Sequence, residues 1–236
     1  MKVTGKSKSV GFTLIELLIV IAIIAVVSAM SFAILPKIMR RAKGSEAMQN
    51  MRQISPLLMS YAGDHQMKLP PAKGTVTLAD GTTSELQWNV TCLTLLFPDT
   101  DVATLMTPNW WKTNNKTIMK NPLYKASTAF KPGFAFNLML PGNIATAKGE
   151  PVPATPETVE IPFAALSEPS RIPLVVSCTE YTYKYNTAAE IAGFKNGALK
   201  ELAVDEKIPV LFADGHTETM TPTEYVNRKL YELPRP

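Results

Sequence analysis

Gly11-Phe12-Thr13-Leu14-Ile15-Glu16-Leu17-Leu18 leads into an apolar run that continues to Leu35. From Leu17 onward the run holds roughly 19 residues, enough for a helix to cross a hydrocarbon core ~30 Å thick. Only Ser28 and Ser31 interrupt it, and either hydroxyl can bond back to a helical carbonyl. Ahead of it lies a short basic leader, residues 1–11, with Lys2, Lys6 and Lys8. The informative residue is Glu16, a carboxylate inside the hydrophobic boundary. At mid-membrane an acidic side chain costs about 2.5–3.5 kcal/mol. A segment that served only as an anchor would do better with Leu, so Glu16 asks for a partner.

Two plainer readings compete. A secretory signal also has a basic start and an apolar core, and Val27-Ser28-Ala29 offers a small-residue cleavage site. Its core is ordinarily about 7–15 residues long and carries no acid. A simple signal anchor has no use for Glu16. Counting charges does not orient the span, because Lys37, Arg40, Arg41 and Lys43 follow it.

The stretch Gly11-Phe12-Thr13-Leu14-Ile15-Glu16-Leu17 resembles the processing site of type IV prepilins and type II secretion pseudopilins. That resemblance implies cleavage after Gly11 by a prepilin peptidase on the cytoplasmic side and methylation of the new amine on Phe12. It implies that Glu16 neutralises the N-terminal amine of a neighbouring subunit in an assembling filament. The expected fold is then α+β and pilin-like, with a long N-terminal helix packed on a small antiparallel sheet. The expected segments are a leader at 1–11, a transmembrane helix at 12–35, its extension at 36–64 and a β-rich domain at 65–236 outside the cytoplasm. The implied partners are the prepilin peptidase/methyltransferase, other pseudopilin subunits and an inner-membrane assembly platform. The implied setting is a bacterial inner membrane, crossed once with the N-terminus cytoplasmic.

Composition bounds the remainder. At 236 residues the chain accommodates one membrane helix and one ordinary soluble domain. Net charge is +4, yet outside the juxtamembrane clusters it is dispersed, and no basic stripe interleaves with aromatics to suggest nucleic acid. The group Lys37 to Lys43 suits a helix leaving the membrane into an anionic headgroup layer. Cys92 and Cys178 are the only cysteines; they are open to a disulfide outside the cytoplasm or to simple burial. Metal-ligand spacing is absent.

Beyond the span, Met48, Met51, Ile54, Leu58 and Tyr61 recur at helical steps, which predicts one apolar face continuing to Gly63-Asp64. Pro36, Gly44 and Pro56 should bend or loosen that helix, or Ser55 should cap a fresh start at Pro56. After residue 65 short β segments are expected. Thr75–Leu78 and Thr82–Trp88 flank Asp80-Gly81 as a two-residue hairpin, and Phe134–Leu140 reads as a strand. Leu93–Phe97 and Val102–Met106 are too short to classify, with Asp101 a possible cap. Thr107–Lys131 is polar around Trp110-Trp111. Residues 141–160 read as an exposed loop. Ile172–Tyr185 reads as one long strand with Tyr181, Tyr183 and Tyr185 on one face. Ile208–Ala213, Asp214-Gly215 and His216–Met220 form a second hairpin.

That hairpin widens the resemblance. Val210-Leu211-Phe212-Ala213-Asp214-Gly215-His216 is similar to the ending of a pseudopilin-like bacterial subfamily with a processing-associated C-terminal domain. Gln49–Ile54, Tyr61-Ala62-Gly63-Asp64, Leu69-Pro70 and Glu168-Pro169-Ser170-Arg171 also look like it. The subfamily's histidine upstream of Asp-Gly is replaced here by Val204. Some pseudopilins hold calcium in a loop, which makes Asp99 and Asp101 the candidate ligands, although carboxylates so placed also cap and turn. Asp214, His216 and His65 invite a catalytic reading, but Asp-Gly explains itself as a turn and no nucleophile motif accompanies it. No enzyme is expected. The competing class is a single-pass envelope protein whose soluble domain binds a partner or glycan without polymerising, through the tyrosine face and the Trp110-Trp111 pair.

Overall fold

Helix α1 runs from Leu14 to Asp64, 51 residues. The computed structural model describes residues 12–114, 117–124, 133–179, 182–183 and 202–230. The chain divides into two units, Met1–Arg41 and Ala42–Pro236, and α1 passes from the first to the second. It is continuous through Pro36, Gly44 and Pro56, so Ser55 does not start a new helix. Each proline removes one N–H, leaving the carbonyls of Phe32 and Arg52 without their helical donor. Within the first unit the apolar side chains are bare: Phe12, Leu14, Ile15, Phe32 and Met30 are all more than half exposed. Ser31 satisfies its hydroxyl on the Val27 carbonyl at 2.9 Å, as a serine in an apolar helix must.

In the second unit the helix face that enters the core is Ala47, Met51, Ile54, Leu58 and Ala62. Met48 and Tyr61 flank that stripe instead of lying in it. They are one residue off the line along which small Ala47 and Ala62 allow close packing. Helix ends and strand edges then follow local chemistry. Strand β1 (Lys68–Leu69) comes straight after α1, with Gln66 and Met67 in left-handed conformation between them. Strands β2 (Lys73–Thr77) and β3 (Thr83–Gln87) form an antiparallel hairpin. The run after it is helical: α2 (Trp88–Leu96) buries Trp88, Val90, Cys92 and Leu93. Helix α3 (Val102–Leu105) is capped by Asp101, whose side chain accepts from the Thr104 N–H at 3.3 Å. The polar stretch after it contains α4 (Pro108–Thr113), capped by Thr107.

A five-stranded sheet is the centre of this unit. Its strands are β4 (Phe134–Asn137), β6 (Pro173–Ser177), β7 (Thr182–Tyr183), β8 (Ile208–Phe212) and β9 (Thr217–Met220), in the order β7-β4-β6-β8-β9. All neighbours are antiparallel except β7, which runs parallel to β4. The short β5 (Ile161–Pro162) pairs with β1 apart from this sheet. Alternation along the strands sends Phe134, Phe136, Val175 and Leu211 into a core shared with Met51, Ile54 and Leu58 of α1. The intervening Ala135, Val176, Val210 and Phe212 enter a second core with Met220, Tyr225 and Leu230. Tyr225 belongs to α6 (Pro222–Asn227), which opens with a reciprocal capping box between Thr221 and Glu224. Those hydrogen bonds hold the Glu224 carboxyl below the usual range. The architecture is α+β: a long N-terminal helix followed by a small, mainly antiparallel sheet domain, as in a pilin-like fold.

Several expectations are corrected. Residues 141–160 are not an exposed loop: α5 (Leu140–Lys148) buries Leu140, Pro141, Gly142, Ile144 and Ala145 and ends on Gly149 at φ +71°. Pro141 is compatible because it sits in the first turn, where its N–H is not needed. The long strand over Ile172–Tyr185 is two short ones that pair differently, with an irregularity between Pro173 and Val175. Tyr181 and Tyr185 lie outside the described residues. Of the two readings open for Cys92 and Cys178, the structure shows burial: both are unbridged thiols, one in each core. Burial pushes the Cys92 thiol up to about 12.

Both Ala-Asp-Gly turns adopt one geometry, and it is not the two-residue form. Leu78 accepts from the Gly81 N–H at 2.9 Å and donates to the Thr82 carbonyl at 2.8 Å; Phe212 does the same with Gly215 and His216 at 3.0 Å. Only the glycines take positive φ, +81° and +90°. These are three-residue loops in which a type I turn is followed by a left-handed glycine bulge. The aspartate braces each one: Asp80 accepts from the Thr82 N–H and hydroxyl, and Asp214 from the His216 N–H. For Asp80 those bonds hold the carboxyl below its usual range.

Candidate functional site

The start of α1 is built by one reciprocal pair. Phe12 and Thr13 lie outside the helix. The Thr13 hydroxyl oxygen accepts from the Glu16 N–H at 3.2 Å. In return Glu16 Oε2 accepts from the Thr13 N–H and the Thr13 hydroxyl, both at 2.9 Å. This is a capping box at Thr-x-x-Glu, with the carboxylate at the positive end of the helix dipole. Sequence reasoning missed Thr13, although the capping-box spacing before an apolar run was a signal for it. All of the described contacts fall on Oε2, so Glu16 Oε1 is left to accept from another group. Gly11 lies outside the described residues. Phe12 is 78% exposed, immediately before the cap.

The arrangement is suited to electrostatic recognition. A carboxylate is fixed one helical turn from Phe12, on a helix whose following residues are apolar and uncovered. An 18-residue window of this helix meets the length and composition of a membrane span with none of its residues buried. Residues 7–32 match the family described as the prokaryotic N-terminal methylation motif. That match takes in the end of the leader, the capping box and the first part of α1. It supports a pilin-like protein processed as a prepilin and held in the cell envelope by its N-terminal helix. The family is structural, not catalytic. No curated protein and no solved structure matches the chain.

The other candidates from the sequence are not assembled into sites. Asp101 is used as the α3 cap and Asp99 is exposed. Among the described residues no three histidine, cysteine or acidic side chains cluster as metal ligands. His216 stacks on Phe212 with ring centres 4.3 Å apart and bonds Asp214 through Nδ1. Its Nε2 lies 3.6 Å from Glu218, which also pairs with Arg228. This network braces the β8–β9 hairpin, and among the described residues no serine or cysteine joins it. His65 stacks on Tyr61 and hydrogen-bonds its carbonyl at the end of α1. Burial, followed by the hydrogen bond to Glu160, pushes Tyr61 up to about 12. Trp111 is buried and donates its indole N–H to the Leu105 carbonyl, while Trp110 packs edge-on between it and Phe97. The aromatic pair therefore serves the core more than a binding surface.

Proposed function

We propose that this chain is a pseudopilin or minor-pilin-like subunit of a type II secretion or type IV pilus-related filament. The observation that carries the reading is the methylation motif over residues 7–32, which leads into a helix that holds Glu16 in its first turn and continues apolar. Prepilin peptidase recognises Gly11 and cuts before Phe12 on the cytoplasmic side, and the Phe12 amine is methylated. The soluble unit then lies outside the cytoplasm. Subunits wait in the inner membrane and enter the filament through an assembly platform.

Glu16 supplies the register. The mature chain begins with a cation, and in low dielectric a cation and a carboxylate on neighbouring subunits are far more stable together than apart. The capping box supports this role in two ways. It holds the carboxylate in one orientation before a partner arrives, and it occupies only Oε2. Apolar helix faces alone attract without direction, whereas this contact forms at one axial offset.

The experiment is the intact mass and N-terminal sequence of the protein recovered from native membranes. A chain that begins at Phe12 with one added methyl group supports the processing pathway. A chain that begins at Met1, or near Met30, overturns it.

A further inference from the structure

The junction between β3 and α2 carries polar groups that the protein itself does not satisfy. Asn89 is fully buried in the first turn of α2, between Trp88 and Val90, which are buried as well. Among the described residues neither Oδ1 nor Nδ2 of its carboxamide has a hydrogen-bond partner, and Oε1 of Gln87 is likewise buried and unpartnered. All of the buried, unpartnered side-chain polar atoms among the described residues fall on these two residues. Gln87 ends β3 and precedes α2, yet its side chain does not cap the helix and instead donates through Nε2 to Glu85. Trp88 gives its N–H to the Ala72 carbonyl at 3.1 Å. The next two N–H groups, of Asn89 and Val90, stand in the first turn and have no helical acceptor. Helical side chains lean toward the N-terminus, so the Asn89 carboxamide is directed back to the level of these groups and of Gln87. Leaving such a cluster dry is costly.

We propose that Gln87 and Asn89 bind a pair of buried waters at the start of α2. The mixture of groups selects the ligand. An anion would suit the first-turn N–H groups but not the two amide oxygens, and a cation would meet the reverse. Water both donates and accepts, and a buried water ordinarily makes about three hydrogen bonds. The oxygen and nitrogen of one carboxamide point apart, so each needs its own water. The first water donates to Asn89 Oδ1, the second accepts from Asn89 Nδ2, and Gln87 Oε1 and the first-turn N–H groups complete their bonds. Nothing larger enters, since Asn89 has no exposed surface. The β2–β3 hairpin thus joins α2 through bound solvent. The inference rests on the soluble unit alone and not on membrane insertion or filament assembly.

The test uses the full chain in detergent micelles, isotopically labelled at asparagine and valine nitrogen. Magnetisation transfer from water to the Asn89 side-chain amide and the Val90 N–H is recorded in the laboratory and rotating frames, which separates contact with a resident water from proton exchange. Resident waters give cross-peaks that change sign between the two frames. Absence of such cross-peaks at the Asn89 amide overturns the proposal. A Val90 N–H that shifts saturably with added chloride overturns it in favour of an anion. The near-isosteric Asn89→Leu gives an independent readout. With waters bound, the substitution strands them and Gln87 Oε1, and the thermal midpoint should fall by about 3–6 °C. A dry carboxamide predicts the opposite, because an apolar group in place of an unsatisfied polar one is neutral or stabilising. A midpoint at or above that of the parent therefore overturns the proposal.

Discussion

Gly215 and Ser55 approach so closely that a β-carbon on Gly215 would fall 2.7 Å from Ser55 Oγ. The β8–β9 turn is thereby pressed onto α1, and Arg52 secures it by donating to the Thr217 hydroxyl at 2.8 Å. The Ala-Asp-Gly segment is thus constrained twice at its glycine, by a φ of +90° and by the helix beside it. Gly81 has the same turn geometry at φ +81°, but a β-carbon added there would meet nothing within 4 Å.

This pair yields a differential prediction. Gly81→Ala should cost about 1–2 kcal/mol, the left-handed penalty alone. Gly215→Ala should cost more, about 2–4 kcal/mol, because overpacking against Ser55 is added. In the double variant with Ser55→Ala the excess should disappear. Denaturant melts of the four proteins in detergent check it; equal costs for the two glycines would show that the contact with Ser55 is not tight.

Processing and assembly should separate genetically. Gly11→Leu should accumulate a chain that retains its leader, read by intact mass. Glu16→Gln should be cleaved at near-parental levels, since its charge lies beyond the cut bond. It should nonetheless be depleted from filaments by roughly tenfold or more if the ion pair contributes at least ~1.4 kcal/mol. Normal incorporation of Glu16→Gln removes the assigned role.

Tyr61 predicts an alkaline limb in stability. Its folded value, about 12, lies above the ordinary value of 10.0. The neutral phenol is therefore favoured by the fold, and this contribution is complete below pH 10 and lost between pH 10 and about 12. Thermal midpoints across that window should fall less steeply for Tyr61→Phe than for the parent. Parallel curves would mean that the burial of the phenol and its contact with Glu160 are not maintained in solution.

The cysteines should be silent in the native protein. Cys92 and Cys178 are buried in separate cores, and the Cys92 thiol is pushed up to about 12. Alkylation at pH 8 should add no label to the folded chain, and should label both cysteines of the denatured one without prior reduction. A denatured chain that takes label only after reduction would reveal a disulfide.

What can be read along the chain is what short-range chemistry decides. The apolar run to Leu35, the helical stop near Gly63-Asp64, the two Asp-Gly turns and the Asp101 cap each depend on residues within a few positions. Thr13-x-x-Glu16 is legible in the same way, although Glu16 draws attention for its charge alone. The tertiary structure decided the rest. Leu140, Ile144 and Ala145 become a helix face only because a core receives them, and flanking Pro, Gly and Thr conceal that in sequence. Leu93 lies in a helix and Leu174 in a strand, each inside a short apolar run that local pattern does not distinguish; burial and pairing do. Strand order, the parallel β7 and the closeness of Gly215 to Ser55 join residues far apart in the chain. Such contacts are settled by which packing buries the most apolar surface while satisfying every backbone polar group, a condition on the whole unit and not on any segment of it.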